Sequence, residues 1–469
     1  MRALVASLIL GSSVAAQGAP LTLADLIERA RKNDLRVKES QAQLQWFRAK
    51  YDEARWAWFP RVESYVAVAG PTPEARNDGL GGPPSTKSTL MYDLDFGQVG
   101  VQFRAGAEAL LPIYTFGKLD ALEAAGAKGV EAGEALAVRA ADEAELQVSQ
   151  AYWGLTLARA GFAVIDDTLK RLDDAKTTLE RLRKLESEQV TQMDVYKLDF
   201  YRQQAEVQRQ AAKQGEAFAL AAIRLLIGAR ADEVLEIETA ALPEPRGQPE
   251  ATETLLEQAL THRPELRAVE AGVGAREQEV LIRERMYYPD FGIVGFARWV
   301  WTTSATRQRS PFAYDPYNDL SAGMALVSRY TWDFPQKSAL LAAARAELDK
   351  MKAQRDLLKA GVRLELEKAH GELQSALVRV EKQTQAEKSA RRWATAAFAA
   401  FDLGTGDTRD LVESFTALAS ASAQRAQALH DVQLGLKSLS RVVGQPVLLQ
   451  VPYDPSPVTP PVSGALTPR

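Results

Sequence analysis

The sequence predicts a mainly α-helical chain organised as a duplicated unit of helix, β-hairpin, long helix and helix. Three observations predict it. Long alanine-rich stretches carry apolar residues at helical spacing. Two shorter regions alternate apolar and polar residues with period two. The whole order then recurs along the chain.

The first helix is expected over residues 21–59, with Leu26, Ala30, Leu44, Phe47, Tyr51 and Ala54 among its apolar positions, and Pro60 ends it. Residues 61–70 alternate in part, and a Gly/Pro/Ser/Thr/Asp loop occupies 71–96. From Gln98 the alternation is clear: Val99, Val101, Phe103, Ala105, Ala107 and Ala109 face one way, Gln102, Arg104 and Glu108 the other. After the segment 111–118 the helical period returns and runs to about Leu185. A second helix then runs from about Asp194 to Gly228, followed by a short strand candidate at 234–237 and a Pro-rich stretch. The plan repeats with a helix over 255–288, a stop at Pro289, strand candidates at 291–301 and 320–332 around a polar loop, a long helix over 338–401 and a last helix over 409–443. A strand candidate at 447–451 and a Pro-rich tail, expected to be disordered, close the chain.

The repeat is visible as an offset. Pro60 and Pro289 stand 229 apart, as do Ala30 and Ala259; Gly228 and Gly444 stand 216 apart, which also pairs Thr191 with Asp407 and Asp194 with Asp410. Residues 17–228 thus form a first repeat with its hairpin at about 61–111. Residues 229–250 form a linker, 251–446 a second repeat with its hairpin at about 290–332, and 447–469 the final strand and tail. A helix of some 69 residues would be roughly 100 Å long at 1.5 Å per residue. Two helices stacked end to end would match that length in each half, a plan suited to a rod or tube.

The second long helix is interrupted over 401–413. Gly404 and Gly406 stop it, and Asp407 is placed to cap the next helix. Asp410 and Glu413 follow at a spacing that shares one helix face. Asp407 and Asp410, like Thr191 and Asp194, also have the N-cap and N3 spacing of an ordinary helix start.

Composition excludes several classes. The chain has 469 residues and a formal net charge of −4, so it offers no field suited to nucleic acid. With no cysteine it can form neither disulfides nor thiol-based sites, and its three histidines, His262, His370 and His430, are far apart. No metal-ligand cluster, cofactor motif or convergent catalytic set is present. Arg2, an apolar run over 3–10 and small residues ending Val14-Ala15-Ala16 read as an export signal over 1–16. No later segment is long and apolar enough for a transmembrane helix. That leaves a membrane barrel open, since barrel strands are about ten residues long and merely alternate. Four strand candidates cannot close a barrel alone, but three copies would supply twelve. Trp299, Trp301, Tyr330 and Trp332 lie near strand ends, where interfacial girdles or ordinary sheet packing would both place them.

The ordered set resembles the TolC-like outer-membrane efflux protein family. The likeness rests on Ala259-Leu260-Thr261-His262-Arg263-Pro264-Glu265-Leu266, the exits into strand at Pro60 and Pro289, Leu111-Pro112-Ile113-Tyr114-Thr115-Phe116-Gly117-Lys118, and 401–413 followed by alanine-rich helix to Gly444. The chain departs from the family pattern at Asp34-Leu35, at Glu188-Gln189-Val190 and at Phe334-Pro335-Gln336.

The resemblance implies a homotrimer whose α-helical barrel in the periplasm continues a 12-stranded β-barrel in the outer membrane, four strands per subunit. It implies no enzymatic activity and no cofactor or metal. The expected role is a passive exit duct of a tripartite efflux pump or type I secretion system, with a periplasmic adaptor (membrane fusion) protein, an inner-membrane transporter and outer-membrane lipid as partners. Asp410, Glu413, Arg409 and Asp194 become candidates for a periplasmic gate, where the six Asp410 and Glu413 carboxylates of three copies would attract cations and raise one another's pKa. Glu188, Gln189, Val190 and Thr191, with Leu403, Gly404, Thr405 and Gly406, become candidate adaptor-docking tips. The alternative is a periplasmic coiled-coil scaffold or adaptor without a membrane barrel.

Overall fold

A computed structural model describes residues 20–72, 100–184, 191–230, 232–239, 241–305, 307 and 315–450. The expected export signal, the centres of both loops between strands, and the tail from residue 451 lie outside the described residues. Twelve elements follow in order: α1 (Leu23–Asn33), α2 (Leu35–Arg55), β1 (Arg61–Thr72), β2 (Gly100–Tyr114), α3 (Lys118–Lys184), α4 (Gln192–Leu226), α5 (Thr252–His262), α6 (Pro264–Arg285), β3 (Asp290–Thr302), β4 (Asp319–Arg329), α7 (Phe334–Asp402) and α8 (Thr408–Val443). The two long helices have 67 and 69 residues, so the expected pair of long helices is present. No described helix is long and apolar enough to cross a membrane, which says nothing of a β-barrel.

The chain divides into two compact units, each with segments from both repeats. One comprises Gln43–Glu134 and Ala268–Arg355, the other the described residues up to Ala42 with Ala135–Arg267 and those from Asp356 onward.

The first unit holds an antiparallel four-stranded sheet in the order β1-β2-β3-β4. Because side chains alternate along a strand, the register assigns each residue to a face. Phe103 lies opposite Val68 and Trp301, Ala105 opposite Val66 and Trp299, and Trp299 opposite Leu320. That face therefore gathers Val62, Val66, Val68, Phe103, Ile293, Trp299, Trp301, Leu320, Met324 and Leu326, and carries no charged residue. Val66 is 81% exposed and Met324 83%, so this apolar face is uncovered. The other face collects every charge of the four strands: Arg61, Glu63, Arg104, Glu108, Asp290, Arg298, Asp319 and Arg329. Two aromatic rings also lie on it. Tyr65 spreads across its partner Gly106, and Phe296 across its partner Gly323, at separations that would bring any Cβ on either glycine within 3 Å of the ring.

The second unit is helical. Leu26 and Ala30 of α1 join Val148, Tyr152 and Leu155 of α3 and Ile223 of α4 in one core. Leu255 of α5, Leu366 and Leu373 of α7, and Val432 and Leu439 of α8 form its counterpart. A third core, near the helix ends, brings α3 and α4 against α7 and α8 through Leu179, Leu198, Phe401, Leu411 and Phe415.

Three expectations are corrected. The single helices expected over 21–59 and 255–288 are each two. The second breaks at Arg263, extended at ψ 121°, because Pro264 disfavours the helical conformation in the residue before it. The first breaks at Asp34, ψ 134°, with no proline. There the buried carboxylate accepts the Arg36 amide at 2.8 Å and the Arg36 guanidinium at 2.7 Å, so Asp34 serves as the cap of α2. The Arg36 side chain, against the cost of burial, holds that carboxyl below its usual pKa. The strand candidates at 234–237 and 447–451 are each a lone bridge among the described residues, Leu21 with Ile237 and Gln248 with Gln450, because no further backbone pairs extend either one. Finally, β4 ends at Arg329 rather than at Trp332.

Leu373 is fully buried between α5, α7 and α8. Leu373→Ala is expected to destabilise the chain by about 2–5 kcal/mol, the cost of lost burial plus a cavity, measured as a lower denaturant midpoint in detergent.

Candidate functional site

The helix ends of the second unit bring the sequence-predicted residues together. At the end of α7, Gly404 adopts φ +74°, the left-handed conformation that a side chain disfavours, and its amide donates to Phe401 O at 3.0 Å. Gly406 serves for a different reason: a Cβ there would lie 2.7 Å from the Phe401 nitrogen. Thr405 and Gly406 both turn their amides back onto Ala400 O at 3.0 Å, and Leu403 is left 78% exposed at the apex. Asp407 then caps α8 by accepting the Arg409 amide at 3.1 Å.

The equivalent start of α4 is built differently. Thr191 and Asp194 form a reciprocal capping box: the Asp194 carboxylate accepts the Thr191 amide at 3.0 Å and its hydroxyl at 2.6 Å, with Lys197 at 3.4 Å. Burial raises the Asp194 pKa, but the Thr191 hydrogen bonds and the Lys197 charge outweigh it and hold the carboxyl below its usual value. Asp194 is buried, and its oxygens are occupied. Asp410, at the same N3 position of α8, is exposed and makes no hydrogen bond or ion pair with any described residue. The reason lies in the cap residue. A threonine hydroxyl can donate to a carboxylate three residues on, whereas the Asp407 carboxylate cannot donate and repels Asp410.

Arg409 bonds Glu413 at 2.9 Å across one turn of its own helix, so Asp410 feels the Arg409 charge but is bonded to no described residue. The opposite face of α8 buries Leu411, Val412 and Phe415 in the shared core. Glu188, Gln189 and Val190 of the first tip lie outside the described residues; Thr191 closes that tip as the N-cap of α4.

One pair escaped the sequence reading. Arg181, in the last turn of α3, donates to the Asp402 carboxylate at 2.6 Å and to the Asp402 carbonyl at 3.3 Å at the end of α7. The two ends are thus tied across 221 residues of sequence. An acid in the last turn of a helix opposes the helix dipole, so an isolated Asp402 was itself a signal that a cation must stand nearby.

The histidines are dispersed: His262 bonds within α5, His370 meets Thr252 and the Glu250 carbonyl, and His430 stands beside Asp431. Among the described residues no group of three or more His, Cys, Asp or Glu is placed to hold a metal.

Because Asp194 has a lowered folded pKa, its cap contributes stability above the unfolded value of about 3.9 and loses it as pH falls through the folded value. The amide protection factors in the first turn of α4, exchange rates corrected for the intrinsic pH dependence, are therefore expected to be constant from pH 8 to 5 and to fall only below about pH 4. Asp194→Asn should lower them at neutral pH.

Residues 255–445 match the family model of outer membrane efflux proteins. No curated protein matches the chain by sequence. Among solved structures, the outer-membrane channel OprN aligns over 90% of this chain and 89% of its own, with TM-score 0.69 and 20% identity. The outer membrane protein VceC of Vibrio cholerae aligns over 90% and 96%, with TM-score 0.70 and 15% identity. The MtrE outer membrane channel of Neisseria gonorrhoeae, solved in an open state, aligns over 90% and 89%, with TM-score 0.70 and 14% identity. The second repeat is thus similar to outer membrane efflux proteins, and the chain as a whole has the fold of the TolC-like outer-membrane channels.

Proposed function

We propose that three copies of the chain close into a passive, gated exit duct, with the strands in the outer membrane and the helices in the periplasm. The observation that carries this reading is the two-faced, open-edged sheet. Its apolar face has no charge, its polar face has all of them, and β1 and β4 present unpaired edges. In a bilayer an unpaired backbone group costs several kcal/mol, so edges must meet edges. Pairing β4 of one copy with β1 of the next, three times over, gives twelve strands and no free edge. The ten steps from Phe291 to Trp301 along β3, at about 3.3 Å each and tilted by about 40°, cover roughly the 25 Å of an outer-membrane apolar band. Exposed Trp56, Trp58, Tyr288 and Trp332 gather at the helix end of the strands, where an interfacial girdle belongs.

The helices support the same closure. Met193, Tyr196, Phe200, Val207, Phe218 and Leu225 recur along α4 near the 3.6-residue period, and all are exposed. Leu357, Leu364, Val378 and Trp393 do the same along α7. By contrast α8 has no exposed large apolar residue among those described. We infer that α4 of one copy covers α7 of the next.

At the periplasmic end, Asp410 and Glu413 line the entrance, and the Arg181–Asp402 pair latches the two helix tips in the resting state. The apex 403–406, with the tip around 188–191, meets a periplasmic adaptor that joins the duct to an inner-membrane transporter, in a tripartite pump or a type I secretion system. Residues 1–16 direct export.

The chain is expected in the outer-membrane fraction as a trimer; recovery as a soluble periplasmic monomer would overturn this in favour of a coiled-coil scaffold. Phe200→Asp, which places a charge on the α4 stripe, should shift the trimer to monomer on size exclusion, since burial of one such ring contributes about 1.5–3 kcal/mol. In planar bilayers, Asp410→Ala with Glu413→Ala should alter conductance and weaken block by divalent cations. Arg181→Ala should raise the open fraction, and an unchanged open fraction would remove the latch from this account.

A further inference from the structure

The polar face of the sheet carries two arginines that neither core packing nor the tip explains. Arg104 on β2 lies opposite Val300, and Arg298 on β3 lies opposite Gly106, so the two are diagonal neighbours on adjacent strands. Side chains so placed are about 7–8 Å apart, close enough for like charges to repel. Both are exposed, and neither forms an ion pair with any described residue. Two acids stand at the same diagonal spacing from Arg298, Glu108 on β2 and Asp319 on β4; neither is ion-paired with either arginine, and Asp319 accepts the Ser321 hydroxyl at 2.8 Å.

Arg104 is also held in place. Its Nε donates to Gln102 Oε1 at 2.5 Å; Gln102 Nε2 donates to Thr302 Oγ1 at 3.1 Å; and that hydroxyl donates to the Tyr317 carbonyl at 2.9 Å. Gln102 is 2% exposed and Thr302 1% exposed, so the relay is buried. A buried polar chain ending on one nitrogen of an exposed guanidinium fixes the orientation of that side chain. Its two terminal nitrogens stay free in a fork that matches an oxyanion.

We propose that Arg104 and Arg298 form an anion-recognition band on the water-facing side of the strand wall, near the ends of the strands farthest from the helices. Its ligands are oxyanions and halides in transit, above all solutes bearing carboxylate, phosphate or sulfonate groups. The inference rests on the duct reading, in which three copies bring six guanidiniums to one level of the pore. Rings of Arg or Lys favour anions in pores, just as acidic rings favour cations. The band is opposite in sign to Asp410 and Glu413, which the same reading assigns to the entrance.

The test is the reversal potential of the full-length trimer in planar bilayers under a KCl gradient, in the wild type and in an Asp410→Ala, Glu413→Ala background where the acidic entrance cannot mask the shift. Arg298 makes no side-chain bond, so Arg298→Gln should insert normally and lower the chloride-to-potassium permeability ratio roughly twofold, with a further drop in the Arg104→Gln, Arg298→Gln pair. The Arg104→Lys, Arg298→Lys pair keeps the charge and should retain the wild-type ratio. An unchanged ratio in the double Gln variant, with conductance intact in both backgrounds, overturns the band and leaves the duct standing. Absence of conductance from the wild-type protein overturns the duct itself, and the band with it.

Discussion

The rest of the structure depends on the hydrogen-bonding requirement of the backbone in the strand sheet. Four strands satisfy one another inside the chain, but the outer edges of β1 and β4 remain open. In water such edges are an aggregation hazard; in lipid they are untenable. An uncharged face lies beside them, which is the feature that the proposed duct turns toward lipid. On the proposed closure of three copies, the open edges of this sheet and the exposed apolar stripes on α4 and α7 are the surfaces that neighbouring copies cover.

Duplication supplies the same parts twice, and the differences between the copies carry the functional detail. At the two helix starts the spacing is identical and the outcome opposite. Thr191 draws Asp194 into a capping box, while Asp407 leaves Asp410 in solvent. One methyl-bearing hydroxyl in place of a carboxylate decides whether the acid three residues on stabilises a helix or is free to act on something else. A similar divergence affects the helix breaks, where Pro264 enforces one and the bonds from Arg36 to Asp34 the other.

Much of this was legible in the sequence because it is written in local signals. Pro60 and Pro289 end helices, period two marks strands, Gly404 and Asp407 punctuate the second tip, and the offset relates the halves. The positions that were not legible depend on partners far apart in the chain. Arg181 and Asp402 are 221 residues apart, and Arg181 lies in no motif. The relay from Arg104 through Gln102 to Thr302 needs the β2–β3 register, which pairs strands from different repeats. Local pattern also overextended several elements. At Asp34 the apolar pattern continues through a residue whose carboxylate has turned to cap the next helix, and at 234–237 and 447–451 strand-like composition found only one backbone partner each.

The rings over glycine bear on a different matter, the accuracy of strand alignment. In the first hairpin an aromatic on the leading strand, Tyr65, lies across a glycine on the returning strand, Gly106; in the second, Phe296 lies across Gly323 in the same sense. A slip of one residue would set each ring against a neighbour that carries a Cβ, and would turn the apolar face to the wrong side. Each hairpin therefore holds its own alignment key, a ring that fits one notch. Both halves retain that key although the ring itself has changed from tyrosine to phenylalanine. The strands can thus be indexed within the chain itself, each hairpin by its own ring and notch.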